Sequence, residues 1–307
     1  MTCTLTKRLV CAVVAVLWLY GTCDAAEPPP PRDRAEIEAV LAQVRGDSVP
    51  GERRDIHVVL VADVKDHGPG EHDYPLWQKR WAKLLQSAPG VKVTTAWKWP
   101  SDEQFVSADL LAFFCYRSGG ERRTWNPERI ERLRQYVADG GGLVVIHSAT
   151  YTGAALEGDS ADRVSSVTGL VFDRTLRYRH GVVELNVTAK DHPICLGLPE
   201  QVKFVDEPYW PPHGDRTKVE VLAASNEVNP DAPDTTSPQP LFWTYQPGKG
   251  RAFGCVMGHY NWTFDDPYFR IFLLRGMAWA ADESPYRFDP LVLVGLPDGP
   301  VAEGDVR

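Results

Sequence analysis

The sequence predicts an α/β fold around a mostly parallel sheet. Three observations lead there. Residues 57–62, 110–115 and 143–146 are apolar throughout rather than alternating, as strands covered on both faces are. Stretches with apolar residues at helical spacing lie between them. Helix punctuation stands at the joints: Asp73 and Pro75, Asn126 and Pro127, and the run Gly140-Gly141-Gly142. Strands alternating with amphipathic helices make a doubly wound sheet.

Taken in order, residues 1–26 read as a secretory signal peptide. Lys7 and Arg8 precede an apolar run at 9–20, and small residues end at Ala25 and Ala26. That run is short against the ~20 residues of a membrane span. Cys23 offers a lipoprotein alternative, although Tyr20-Gly21-Thr22 is a poor lipidation box. The expected location is therefore periplasmic or secreted, with a chain that does not span the membrane once processed. Residues 27–54 read as a proline-rich linker and a short helix at 34–45. Ile37, Val40, Leu41 and Val44 lie on one side of it, and it is expected to dock loosely. The domain proper is expected at 55–282, followed by a proline- and glycine-rich tail at 283–307 that wraps or frays.

Within the domain, strand 57–62 leads to the loop Gly68-Pro69-Gly70 and then a helix with Trp77, Trp81, Leu84 and Leu85 inward. Strands follow at 91–96 and 110–115. The next helix turns Ile130, Leu133 and Val137 inward, and a fourth strand occupies 143–146. From 174 to 187 the pattern becomes β-like and more polar. Further strands are expected at 219–223, 241–245 and 252–257, before a closing helix capped by Asp265-Asp266-Pro267.

Composition narrows the partners. Without Lys7, Arg8 and Asp24 the chain keeps 31 basic and 40 acidic residues. That balance argues against nucleic acid and anionic membranes, and leaves a neutral small molecule such as a carbohydrate open. Cys115, Cys195 and Cys255 are too few and too apolar in setting for a disulfide framework, and read as buried thiols. An oxidising compartment still permits one bridge. There is no Gly-x-Gly-x-x-Gly and no phosphate loop, so no nucleotide cofactor is expected. Self-association into a homo-oligomer is left open.

Ligands of open α/β sheets bind beyond the carboxyl ends of the strands. Asp63, Lys65, Asp66, His67, Glu71, His72 and Asp73 follow the first strand. Tyr116 and Arg117 follow the third, His147 and Ser148 the fourth, and His259, Tyr260 and Asn261 the last. Four strands thus send titratable or hydrogen-bonding groups to one edge. His147 and His259 are the candidates for acid/base catalysis. His67 and His72, on a glycine-rich loop, are candidate ligands of a divalent metal, with Glu71, His147 or His259 as a further ligand. Tyr116, Arg117, Glu207, Tyr260 and Asn261 are candidate substrate contacts. The pair Asp206-Glu207 before Pro208-Tyr209-Trp210 reads either as a sugar site or as a capped loop packed by aromatics. His57, His192 and His213 read as structural, and His180 as a candidate to line the cleft. Ser148 lacks the Gly-x-Ser-x-Gly setting of a nucleophile.

Several segments together resemble the ThuA-like (trehalose utilization) family. They are 68–75, 140–147, 206–210, and 248–254 continuing to 258–267, in order across about residues 55–281. The resemblance implies a class I glutamine amidotransferase-like fold, a flavodoxin-like three-layer sandwich. In the amidotransferases the nucleophilic cysteine occupies the elbow that carries His147 here, so glutaminase activity is not expected. The family is associated with disaccharide utilization through 3-keto sugars. It therefore implies processing of oxidised glycosides by acid/base or metal-assisted chemistry. The alternative is a non-catalytic carbohydrate-binding or scaffold protein on the same fold.

Overall fold

The computed structural model describes residues 27–44, 54–116, 125–152 and 160–296. The expected signal segment and Arg117 lie outside the described residues. One nine-stranded sheet organises the rest. Its parallel half consists of β2 (Val91–Trp97), β1 (Ile56–Ala62), β3 (Leu110–Phe113), β4 (Gly142–Ile146) and β11 (Arg251–Cys255), side by side in that order. Its antiparallel half continues through β10 (Ala232–Tyr245), β9 (Val219–Asn229), β6 (Gly181–Val187) and β7 (Gln201–Asp206). A separate ribbon pairs β5 (Arg177–Tyr178) with β8 (Tyr209–Trp210).

Side chains of the central strands alternate between two apolar layers, which makes the domain three-layered. Val58, Leu60, Leu110, Ala112, Val144 and Ile146 face α2 (Tyr74–Gln86) and α6 (Pro267–Ala280). Val59, Val61, Leu111, Phe113, Leu143 and Val145 face α3 (Asp102–Ser107), α4 (Pro127–Asp139) and α5 (Ser160–Thr168). This is why their sequences show no alternation: both faces are covered. The caps expected from the sequence form. Asp73, Asn126 and Asp266 accept backbone N–H bonds at the starts of α2, α4 and α6. Gly142 permits a close approach, because a Cβ there would meet the Ala280 carbonyl oxygen at 2.4 Å.

At three places the structure corrects or sharpens what the sequence predicts. α1 (Arg34–Ala42) does not dock loosely. Ile37, Val40 and Leu41 are buried in the main core, and Arg32 Nε lies 2.8 Å from Asp266 Oδ2. The tail wraps rather than frays as far as it is described: the turn Pro285–Leu291 packs on α6, and Arg275 pairs with Asp289 at 2.9 Å. The strands expected at 219–223 and 241–245 are the inner halves of a long hairpin, β9–β10. Its outer half is polar and carries Pro238, a pattern that does not read as a strand. β11 pairs only with 242–245, so that proline sits where β10 has a neighbour on one side only. Cys115, Cys195 and Cys255 are buried thiols. No helix among the described residues is long and apolar enough to cross a membrane.

Candidate functional site

The carboxyl edge of the parallel half gathers the site. β4 ends at Ile146, and the chain turns at once into a short 3-10 helix, His147–Thr150. His147 adopts φ 47° and His72 φ 40°, both in the left-handed region. Such a conformation costs a side-chain-bearing residue about 1–3 kcal/mol and persists where the surroundings over-determine it. They do so here. The Thr150 hydroxyl donates to the His147 carbonyl at 2.6 Å, and the His72 N–H donates to the His259 carbonyl at 2.9 Å. His259 follows β11 and is placed by Asp206, whose carboxylate accepts the backbone N–H groups of Gly258 (2.9 Å) and His259 (3.0 Å) and the Thr263 hydroxyl (2.6 Å). The adjoining carboxylates therefore divide their work: Asp206 holds backbone, and Glu207 enters the site.

Four buried groups converge: His72, His147, Glu207 and His259, with one ligand atom from each lying within 4.8 Å of the others. Nδ1 of His147 is 2.5 Å from the Val256 carbonyl oxygen, which can only accept, so Nδ1 carries the proton. Nδ1 of His72 is 2.9 Å from Asp66 Oδ1. Burial opposes the Asp66 charge, but hydrogen bonds from His67 and His72 outweigh it and hold the carboxyl well below the usual range. It too is an acceptor. Burial pushes His72 down to about 3, against the pull of Asp66, so its ring is neutral at pH 7. With its proton on Nδ1, the neutral His72 ring turns a bare Nε2 lone pair toward His147 Nε2, 2.9 Å away.

Glu207 adds negative charge to the same point. Its Oε2 lies 3.3 Å from His147 Nε2 and 2.9 Å from His259 Nδ1. Despite that proximity, neither ring nitrogen of His259 has a hydrogen bond of acceptable geometry. Buried lone pairs and a carboxylate facing one another are costly unless a cation lies among them. Ligand atoms about 2.0–2.1 Å from a tetrahedral zinc-type ion stand ~3.3 Å apart. The donor set, its spacing and the orphaned His259 nitrogens all fit a divalent metal.

Two half-exposed imidazoles rim this group. His67 Nδ1 lies 2.8 Å from Asp66 Oδ1, and its ring centre is 3.8 Å from that of His72. The Asp66 hydrogen bond raises the His67 pKa. His180 Nδ1 meets the Tyr260 hydroxyl at 2.9 Å, and its Nε2 is 3.4 Å from Glu207 Oε1. Tyr260 in turn stacks on Trp262 at 4.1 Å. Tyr209 lies against the His147 ring, its hydroxyl 2.9 Å from Nε2. Burial keeps that hydroxyl protonated by raising its pKa.

The structure thus brings together His72, His147, His259 and Glu207. It places His67 at the rim, outside the four-residue group, sharing Asp66 with His72. Tyr260 reaches the site through His180. The backbone N–H of Asn261 donates to the Gly70 carbonyl at 2.8 Å and fastens the two loops. Tyr116 packs its ring 5.3 Å from that of Tyr151. His180, a candidate to line the cleft, stands beside Glu207, whereas the sequence assigned no individual role to Asp66, Tyr74 or Tyr209. The adjacency Asp66-His67 was the available signal for the first. The aromatic run after Glu207 marked Tyr209 only as part of a loop; its contact with His147 depends on the ribbon β5–β8, which is formed across sequence. His57 and His213 are structural: His57 bonds Ser107 and Thr94, and His213 bonds Asp162.

The parallel sheet, the three layers and the strand-end elbow define a flavodoxin-like fold of the class I glutamine amidotransferase-like type. Within that class, the sequence profile of the ThuA family, described as trehalose utilisation, matches residues 59–280, and the chain belongs to this family. A ThuA-like protein from Parabacteroides merdae ATCC 43184 is similar in structure, with a TM-score of 0.54 at 20% identity over 75% of this chain and 92% of that one. Another, from Bacteroides uniformis ATCC 8492, has a TM-score of 0.56 at 18% identity over 78% of this chain and 98% of that one. At such identities the likeness concerns the fold. No curated protein matches the chain.

Proposed function

We propose that this chain is an exported sugar-processing enzyme that acts on oxidised (3-keto) glycosides or disaccharides, with a divalent metal held by His72, His147, Glu207 and His259. One observation carries the reading. Two imidazoles anchored at Nδ1 direct Nε2 atoms to a common point beside a buried carboxylate. Family membership supports the substrate class.

A bound divalent metal would polarise a carbonyl or hydroxyl oxygen of the sugar. The remaining chemistry belongs to the chain. A 3-keto group acidifies the C2–H bond. A base that removes this proton allows the C1–O bond to break, and the leaving oxygen takes up a proton. His67 and His180, half-exposed beside the ligand group, would exchange these protons. The buried Tyr209 hydroxyl, kept protonated by burial, borders the ligand nitrogen of His147 rather than the substrate. The stacked Tyr260 and Trp262 stiffen the wall that holds His180.

The test combines metal analysis with product detection. The mature chain is expected to hold about one equivalent of divalent metal and to convert 3-keto-trehalose but not trehalose. Binding of both sugars without conversion of either would reject the enzyme and favour a carbohydrate-binding protein.

A further inference from the structure

Asp66 carries the inference that goes furthest, and it rests on the metal reading above. We infer that Asp66 is a positioning residue: a single carboxylate oxygen fixes the tautomers of two imidazoles, His72 in the ligand group and His67 at its rim.

Oδ1 of Asp66 lies 2.9 Å from His72 Nδ1 and 2.8 Å from His67 Nδ1, and accepts the Tyr74 hydroxyl at 3.1 Å. A carboxylate offers only lone pairs, so each imidazole must present an N–H to it. A neutral imidazole has one such proton. Placing it on Nδ1 leaves Nε2 bare in both rings. Free histidine prefers the opposite tautomer, with the proton on Nε2, and that form of His72 would block its ligand nitrogen. Asp66 is thus the outer carboxylate of a carboxylate–histidine–metal arrangement, which orients the ring and raises its basicity. The Val256 carbonyl performs the same task for His147.

The loop that carries Asp66 is built to hold this position. The Lys65 ammonium donates to the carbonyls of His67 (2.5 Å), Gly68 and Glu71 (2.7 Å), drawing the 67–71 segment around itself. Tyr74, at the start of α2, reaches both Asp66 oxygens and also meets His72 Nδ1 at 3.0 Å. Asp66, His67 and His72 also have the spacing of a second cation group. The hydrogen-bond pattern favours the positioning role, because both imidazoles already bind Oδ1 through protons.

Two measurements decide. The first uses the metal-free chain with 15N-labelled histidine at pH 8.5, where long-range proton–nitrogen correlation reads each tautomer. Wild type is expected to carry the His72 and His67 protons on Nδ1, and Asp66→Ala to return them toward Nε2. The second is zinc affinity by chelator competition. Asp66→Ala should weaken it about 10- to 100-fold, and Asp66→Asn, whose oxygen still accepts, should weaken it less. Wild-type protons on Nε2, or two equivalents of zinc in the wild type, would overturn the inference. A wild type that binds no zinc would reject the metal reading, while the tautomers would still decide the role of Asp66.

Discussion

Glu207→Gln changes one charge and almost no volume at the centre of the site. The wild-type carboxylate is buried, 2.9 Å from His259 Nδ1 and 3.3 Å from His147 Nε2. Two unit charges about 4 Å apart attract by ~4 kcal/mol at an effective dielectric of about 20. A metal coordinated at this point would be nearer and doubly charged, so this is a lower bound on the attraction, with the cost of desolvating the ion set against the excess. At ~1.4 kcal/mol per decade, the metal dissociation constant should rise roughly a thousandfold. The assay is competition with a chromophoric chelator at pH 7.5, for zinc and cobalt in parallel. Far-ultraviolet circular dichroism establishes that the variant is folded. A folded Glu207→Gln protein that binds metal within about threefold of wild type would refute the reasoning, because the charge at the convergence point would then be irrelevant.

Three further outcomes are expected. His259→Ala should abolish metal binding and turnover yet leave the metal-free melting temperature within a few degrees, since its ring nitrogens make no hydrogen bond to lose; a large drop in that temperature would contradict this. Asp206→Asn places an amide among N–H and O–H donors that now face a charge, and should cost about 2–4 kcal/mol in urea unfolding; a change below ~1 kcal/mol would count against the scaffold role. His72 has a folded pKa of about 3, below its unfolded value, so the unfolded chain binds the extra proton as pH falls below ~6.5. That group should remove roughly 2 kcal/mol of metal-free stability between pH 7 and 5, partly offset by His67, whose raised pKa acts in the opposite sense. The loss should be smaller in His72→Gln, and an equal loss in both proteins would exclude His72 as its source.

The parallel half of the sheet was legible because burial on both faces leaves a continuous apolar run, as at 57–62 and 143–146. The antiparallel half was read only in part. Strand β7 alternates exposed and buried residues over a short span, and the outer half of β10 faces solvent, so neither stands out from polar loops. The site followed the same rule. His72, His147 and His259 could be found because each stands just beyond a strand or its loop, where ligands of such sheets bind. Glu207 could be suspected from its neighbours, but its separation in role from Asp206 could not. That separation depends on which carboxylate meets the N–H groups of the loop after β11, a tertiary fact. His67 was grouped with His72 by proximity in sequence. The difference between them is one of burial: His72 is enclosed and His67 is half-exposed.

The elbow after β4 shows how the fold separates strain from chemistry. A left-handed residue there turns the chain sharply from strand to helix, whichever side chain it carries. Here the turn carries an imidazole that is fully buried, tied at Nδ1 to the Val256 carbonyl and flanked at Nε2 by His72, Tyr209 and Glu207. A group enclosed on all sides cannot attack a substrate, but it can hold an ion in a fixed place. Under the proposed function, the work of meeting substrate would pass to groups with a face to solvent. Among the imidazoles of the site those are His67 and His180, one tied to the ligand group through Asp66 and the other close to Glu207.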